Sequence, residues 1–163
     1  MKRIGLLSDT HGYLEPAIKD FFMDCDEIWH AGDMGSMEIC DKLETHHIVR
    51  AVYGNIDGSD IRRRFSEHLR FSCEEVDVWI THIGGYPGKY DRSLREAIQK
   101  DPPKLFIAGH SHILKVIYDK KLDLLHINPG AAGKFGPHQK MTAVRFVIDG
   151  KEIKNMEVFE KER

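Results

Sequence analysis

The sequence predicts an α/β fold in which two β-sheets pack together with helices on the outside. Three observations carry this. The first half alternates short apolar runs with segments of helical periodicity, which is the rhythm of a parallel sheet. The second half replaces that rhythm with closely spaced strand-like runs, more than one sheet can bury. A length of 163 residues suffices for a well-buried core, and no linker, repeat or low-complexity segment divides it, so residues 1–163 are expected to form one domain.

The elements follow in order. Arg3 to Ser8 reads as a buried strand and Leu14 to Met23 as a helix with apolar residues at helical spacing. Glu27 to Ala31 is the second strand, Met37 to Leu43 a helix, and Ile48 to Tyr53 the third strand. Leu69 to Glu74 and Val76 to His82 are adjacent strands. A helix over Arg92 to Lys100 ends before Pro102-Pro103, because proline disfavours helix in the residue preceding it. Lys104 to Ala108, Lys115 to Tyr118 and Leu122 to Ile127 are strands. Thr142 to Ile148 and Glu152 to Phe159 flank Asp149-Gly150, a two-residue hairpin signal.

Composition narrows the function. The formal net charge is −2 with both signs interspersed, and no basic stripe with interleaved aromatics marks a nucleic-acid partner. Ile4 to Leu7 is too short for a signal-peptide core, and no stretch approaches a membrane span, so a cytoplasmic protein without a membrane partner is expected. Cys25, Cys40 and Cys73 are far apart, odd in number and without metal-type spacing, which argues against a disulfide framework. Histidine, with 10 copies, is the informative excess. Oligomeric state is left open.

Polar clusters follow five of the strands. They are Asp9-Thr10-His11-Gly12, Gly32-Asp33, Gly54-Asn55-Ile56-Asp57, His82-Ile83-Gly84-Gly85 and Gly109-His110-Ser111-His112. Ligands of α/β sheets collect outside the carboxyl ends of strands, so five such clusters at one edge converge on one pocket. Aspartate and histidine suit divalent transition metals, and an asparagine carbonyl adds a harder donor. Asp9 and His11, like His110 and His112, are two apart, which turns their side chains the same way in extended chain. Each cluster alone is weak, since Gly-Asp is a common turn dipeptide; the conjunction and its order are specific.

The ordered set Asp9-x-His11, Gly32-Asp33, Gly54-Asn55, His82 and Gly109-His110-x-His112 closely resembles the calcineurin-like metallophosphoesterase superfamily, from Ile4 to about Gly130. The words around it, Ser8-Asp9-Thr10-His11-Gly12, His30-Ala31-Gly32-Asp33 and Asn128-Pro129-Gly130, are similar to its small phosphodiesterase branch, which also holds retromer-type scaffold relatives. The resemblance implies a β-sandwich with helices on both faces, a four-layer α/β/β/α arrangement. It implies that Asp9, His11 and His112 hold one metal, that Asn55, His82 and His110 hold the other, and that Asp33 bridges them. Asp33, Asn55 and His110 are the expected catalytic residues among these. The implied cofactors are two divalent ions, manganese first, with iron, nickel, zinc and cobalt as alternatives. The implied reaction is hydrolysis of a small phosphodiester or phosphomonoester by a hydroxide bridging the two metals, in line at phosphorus. A non-catalytic protein-binding scaffold and a nuclease are the rival readings. One departure stands out: many members carry a histidine directly after the Gly-Asn pair, thought to protonate the leaving group, and here that position is Ile56.

Other residues are expected near the site. Asp57 could orient a metal-bound histidine or cap a turn, and His30 is either a supporting residue behind Asp33 or a satisfied strand histidine. Tyr86 and Lys89, in the glycine-rich loop after His82, are candidates for touching the non-reacting part of a substrate, against the plainer reading of a surface loop. Lys134 and His138 are candidates for reaching the phosphate or replacing the missing acid. His46, His47, His68 and His126 are expected at the surface or in strands, and Arg62-Arg63-Arg64 on a solvated helix face, with attraction of a phosphorylated partner as the alternative.

Overall fold

The computed structural model describes residues 1–163. In chain order the elements are β1 (Lys2–Leu7), α1 (Pro16–Phe21), β2 (Glu27–His30), α2 (Met37–Glu44), β3 (Ile48–Ala51), α3 (Ser59–Arg64), β4 (His68–Cys73), β5 (Val76–Thr81), β6 (Gly85–Tyr86), β7 (Lys89–Tyr90), α4 (Arg95–Lys100), β8 (Leu105–Ile107), β9 (Leu114–Asp119), β10 (Leu124–Pro129), β11 (Lys140–Asp149) and β12 (Glu152–Glu162). One sheet has the order β12-β11-β1-β2-β3 and the other β4-β5-β8-β10-β9, with β6 and β7 forming a small separate ribbon.

The strands β1, β2 and β3 are parallel, as the strand–helix rhythm requires. The second half also contains parallel pairs: β5 with β8, joined by the α4 crossover, and β8 with β10, between which the edge strand β9 runs back. Along β5 the pleat sends Val76, Val78 and Ile80 inward. There they meet Ile4 and Leu6 of β1 and Leu105, Ile107 and Phe146, forming the core between the sheets. Ile18, Phe22, Ile39 and Leu43 cover the outer face of the first sheet with Ile28 and Ala51. Leu94 and Ile98 cover Trp79, Phe106 and Leu124 on the outer face of the second. The result is the four-layer α/β/β/α sandwich.

Boundaries differ from the sequence reading for local reasons. Helix α1 begins at Pro16 and ends at Phe21, not at Leu14 and Met23, because Glu15 before the proline is extended, at φ −64° and ψ 125°. Helix α4 begins at Arg95 because the Asp91 carboxylate accepts the Ser93 amide, 3.0 Å away, and spends residues 91–94 on a turn. In the last hairpin Asp149 pairs with Glu152, so the two-residue loop is Gly150-Lys151, shifted by one from the dipeptide that signals it. Gly150 has φ +60° at the first loop position, where a glycine-first turn matches the strand twist.

Candidate metal centre

The carboxyl ends of β1, β2, β3, β5 and β8 lie at one edge of the sandwich. Asp9 and His11 follow β1, Asp33 follows β2, Asn55 follows β3, His82 follows β5, and His110 and His112 follow β8. Backbone bonds knit these ends together: the Asp9 amide donates to the Gly32 carbonyl at 3.0 Å, His11 to Asp33 at 3.1 Å and Gly109 to His82 at 2.9 Å. Asp9 (φ 54°), His11 (47°), Asp33 (55°), His110 (69°) and His112 (61°) all occupy the left-handed region. Such backbone costs roughly 1–2 kcal/mol per non-glycine residue, so its concentration at one edge marks a site that the surrounding packing holds in place.

The donors gather into two triples. Asp9, His11 and His112 form one, and Asp33, His82 and His110 the other; within each triple the donor atoms lie within 4.8 Å of one another. Asp33 Oδ2 reaches across, 3.2 Å from His82 Nε2 and 3.5 Å from His11 Nε2. His112 Nε2 is 3.2 Å from Asp9 Oδ1. Asn55 Oδ1 lies 3.1 Å from His110 Nδ1, which brings the seventh candidate to the same place. Three buried donor atoms here, Asp9 Oδ1, His11 Nε2 and His82 Nε2, have no hydrogen-bond partner. Buried polar atoms are ordinarily satisfied, so three orphans converging on one space form a cradle that fits divalent cations in donor type and number.

Tautomers follow from the other ring atoms. His82 Nδ1–H donates to the Ala31 carbonyl at 2.7 Å, leaving the Nε2 lone pair facing Asp33. Burial pushes the Asp9 carboxyl up, but His11, His112, the His82 charge and the Ser8 hydroxyl together outweigh it and hold the group well below the usual carboxylate range. Burial likewise opposes ionisation of Asp33, and His82 and the Ile56 amide reverse it, leaving the carboxyl lowered. Both carboxylates are therefore anionic, as ligands for cations must be.

Residues 1–151 match the calcineurin-like phosphoesterase superfamily domain. The chain belongs to that family. A probable metallophosphoesterase of Methanocaldococcus jannaschii is 35% identical over 134 residues, which span 78% of this chain and 67% of that protein. A solved structure described as a novel archaeal phosphodiesterase superposes with a TM-score of 0.76 at 25% identity, covering 96% of this chain and 99% of its own. Wild-type Vps29 from Entamoeba histolytica, complexed with zinc, superposes with a TM-score of 0.76 at 16% identity over 98% of both chains, a likeness of fold. Metal-dependent phosphoester hydrolysis is the chemistry that this calcineurin-like membership supports.

Around the calcineurin-like donor set, several supports were not legible in the sequence. The Ser8 hydroxyl donates to Asp9 Oδ2 at 2.7 Å, and the His110 amide donates to the same oxygen at 3.1 Å. Arg62, expected by default on a solvated face, donates from Nε to the Asp57 carbonyl at 2.6 Å and from its terminal nitrogen to the Asn55 carbonyl at 3.3 Å, clamping the loop that carries Asn55. His138 Nε2 donates to the Gly133 carbonyl at 2.7 Å, so its Nδ1 is the acceptor for His112 Nδ1–H at 2.9 Å. Both of its nitrogens are engaged, which leaves it no proton to give a leaving group. Lys134 Nζ sits 4.0 Å from the Tyr13 ring centroid.

Asp57 hydrogen-bonds no histidine. Its carboxylate accepts the amides of Gly54 (2.8 Å), Gly35 (2.8 Å) and Met34 (3.2 Å), stapling the loop after Asp33 to the loop of Asn55. His30 accepts the Gly32 amide on Nδ1 at 3.1 Å and donates from Nε2 to Thr10, whose hydroxyl continues to the Met34 carbonyl. Burial holds it neutral, with its pKa pushed down to about 4. Gly54 permits a close approach: a side-chain carbon there would overlap the Asp33 amide and carboxylate. His126 is a buried strand residue, while His46 and His68 are at the surface. No helix is long and apolar enough to cross a membrane.

Proposed function

We propose that the chain hydrolyses phosphodiesters at a two-metal centre. Asp9, His11 and His112 hold one cation, Asn55, His82 and His110 the other, and Asp33 touches both. The reading rests above all on the three buried donors without partners, Asp9 Oδ1, His11 Nε2 and His82 Nε2, which converge within one family's ligand order. Asp33 suits the bridge because its Oδ2 faces a histidine of each triple. Two cations held by these residues would supply Lewis-acid charge to the phosphoryl oxygens and lower the pKa of a water for in-line attack. Manganese is the leading candidate for the native ion; iron, nickel, zinc and cobalt suit the same donors.

The chain's own residues set the geometry. Ser8 and the His110 amide occupy Asp9 Oδ2 and leave Oδ1 free for the centre. Ala31 and His138 fix the rings of His82 and His112 so that Nε2 of each faces the carboxylates. The test is hydrolysis of bis(p-nitrophenyl) phosphate by protein stripped with chelator and then given Mn²⁺. Turnover that appears only with metal, at about two ions per chain, is the expected result. A scaffold of the same fold is the competing reading, favoured by Ile56, 47% exposed where an acid would stand; metal loading without turnover would decide for it.

His138 gives a second expectation. Removing the acceptor behind a metal-bound histidine lowers metal affinity about tenfold to a hundredfold. His138→Ala should weaken Mn²⁺ binding in equilibrium dialysis by at least about tenfold, and His138→Gln, which keeps an acceptor and a donor, by much less. Equal losses in the two variants would show that the ring only fills space.

A further inference from the structure

Next to the donor cluster lies a cavity of about 590 Å³ that the hydrolytic reading leaves unused. Gly109 and His110 are among its lining residues, so the cavity borders the centre. Its far side is basic: Lys89, Arg92, Arg95 and Lys115 line it, against a single acidic residue, Asp91. The Asp91 carboxylate is already taken by the Ser93 amide at 3.0 Å, and Arg95 spends one nitrogen on the Tyr90 carbonyl at 3.2 Å. Lys89 and Arg92 make no side-chain hydrogen bond or ion pair, and Lys115 rests 4.1 Å above the Tyr86 ring. In a chain of net charge −2, this is a local excess of positive charge, four cations against the one carboxylate of Asp91.

The same cavity carries an apolar wall. Ile83, Tyr86 and Ile113 line it and are 39%, 38% and 57% exposed. At its floor, the fully buried His126 donates from Nδ1 to the Phe106 carbonyl at 3.1 Å, and its Nε2 is buried with no partner. A volume of this size exceeds what a phosphoryl group needs and falls in the range of small-molecule pockets. Its complement is a group with an apolar body and an anionic end.

We infer that this cavity is the subsite for the leaving alcohol of the ester, and that it selects alcohols bearing a second anionic group, a carboxylate or a phosphate. The inference rests on the proposed hydrolytic function for its position and on Lys89, Arg92, Arg95 and Lys115 for its selectivity. With phosphorus beside His110, the departing group extends over Tyr86 and Ile113 and places its anion among the four cations. A water-derived oxygen forms the new bond to phosphorus as the bond to the bridging ester oxygen breaks; that oxygen leaves with the alcohol and takes a proton from water, so the second anionic group takes no part in bond breaking.

The test is a matched pair of substrates, bis(4-carboxyphenyl) phosphate and its dimethyl ester, hydrolysed by the Mn²⁺-loaded full chain. The expected KM for the carboxylate is about tenfold lower, the scale of charge-assisted contacts to an anion. That ratio should collapse to within about twofold in Arg92→Ser/Lys115→Gln, and should shrink in about 0.5 M salt, where surface charges are screened. A native ratio near one, or a ratio that the double variant leaves intact, overturns the subsite. If neither ester is hydrolysed, the function reading has failed and the subsite is judged by binding alone. In that case 4-hydroxybenzoate added to metal-free, nitrogen-15-labelled protein should shift the amides of Lys89 to Arg95, and its methyl ester should not. Shifts with neither compound, or equally with both, end the proposal.

Discussion

Asp33→Asn should lower the hydrolysis of an activated aryl phosphodiester about a thousandfold and strip both cations, where His112→Ala strips chiefly one. The size follows from the charge the bridge supplies: losing several kcal/mol of transition-state stabilisation, at about 1.4 kcal/mol per factor of ten, gives about three orders of magnitude. Asparagine retains Oδ1, which accepts the Ile56 amide at 3.1 Å, so the loop of Asn55 keeps its tether. What it loses is the anionic Oδ2 that faces His82 at 3.2 Å and His11 at 3.5 Å. The experiment pairs initial rates with elemental analysis of protein whose circular dichroism is unchanged. A variant that loses rate but keeps two ions per chain would move the bridge elsewhere, with Asp9 the next candidate because its Oδ1 lies 3.7 Å from His11 and 3.8 Å from His82. An unchanged rate would dismiss the centre altogether.

The seven candidate donors were legible because each sits within four residues of the end of an apolar run, and the end of a parallel strand is a place that sequence can mark. The strands themselves were legible where alternation or β-branched runs are strong, as in Val76–Thr81, and the helices were overdrawn where a local competitor acts, as at Pro16 and Asp91. What holds the donors was not legible, since much of it is long-range or runs through backbone groups. His138 reaches His112 from 26 residues away, and Arg62 closes a loop through backbone carbonyls, which any residue would offer. Asp57 could be placed near the site from its position beside Asn55, but not told apart as a binder of three amides in place of a histidine. The basic cavity shows the same limit: Lys89, Arg92, Arg95 and Lys115 come from a ribbon, a turn, a helix start and an edge strand, and only the packing of the second sheet brings them to one wall.

Ile56→His should raise the rate with poor leaving groups by about a hundredfold and leave p-nitrophenyl esters nearly unchanged. General acid catalysis contributes about 10²–10⁴, and only where the departing oxygen needs a proton in the transition state. In this chain the position after Asn55 contributes its backbone amide to Asp33 and presents an isoleucine side chain, 47% exposed, which cannot donate. His138, an imidazole in contact with the donor set, has both nitrogens committed to His112 and Gly133. The native rate should therefore fall steeply as the leaving alcohol becomes less acidic, and the slope, measured across a series from p-nitrophenyl to alkyl esters, is the readout. The histidine variant should flatten that slope and give a descending pH limb near the imidazole's ordinary titration, about pH 6.5. A slope already shallow in the native chain would mean that another donor supplies the proton. The cavity beside His110 bears on the same point, because binding a second anion there strengthens substrate capture without protonating the leaving oxygen. Selectivity for an anionic alcohol and dependence on its acidity are thus separate properties, the first read in KM and the second in kcat.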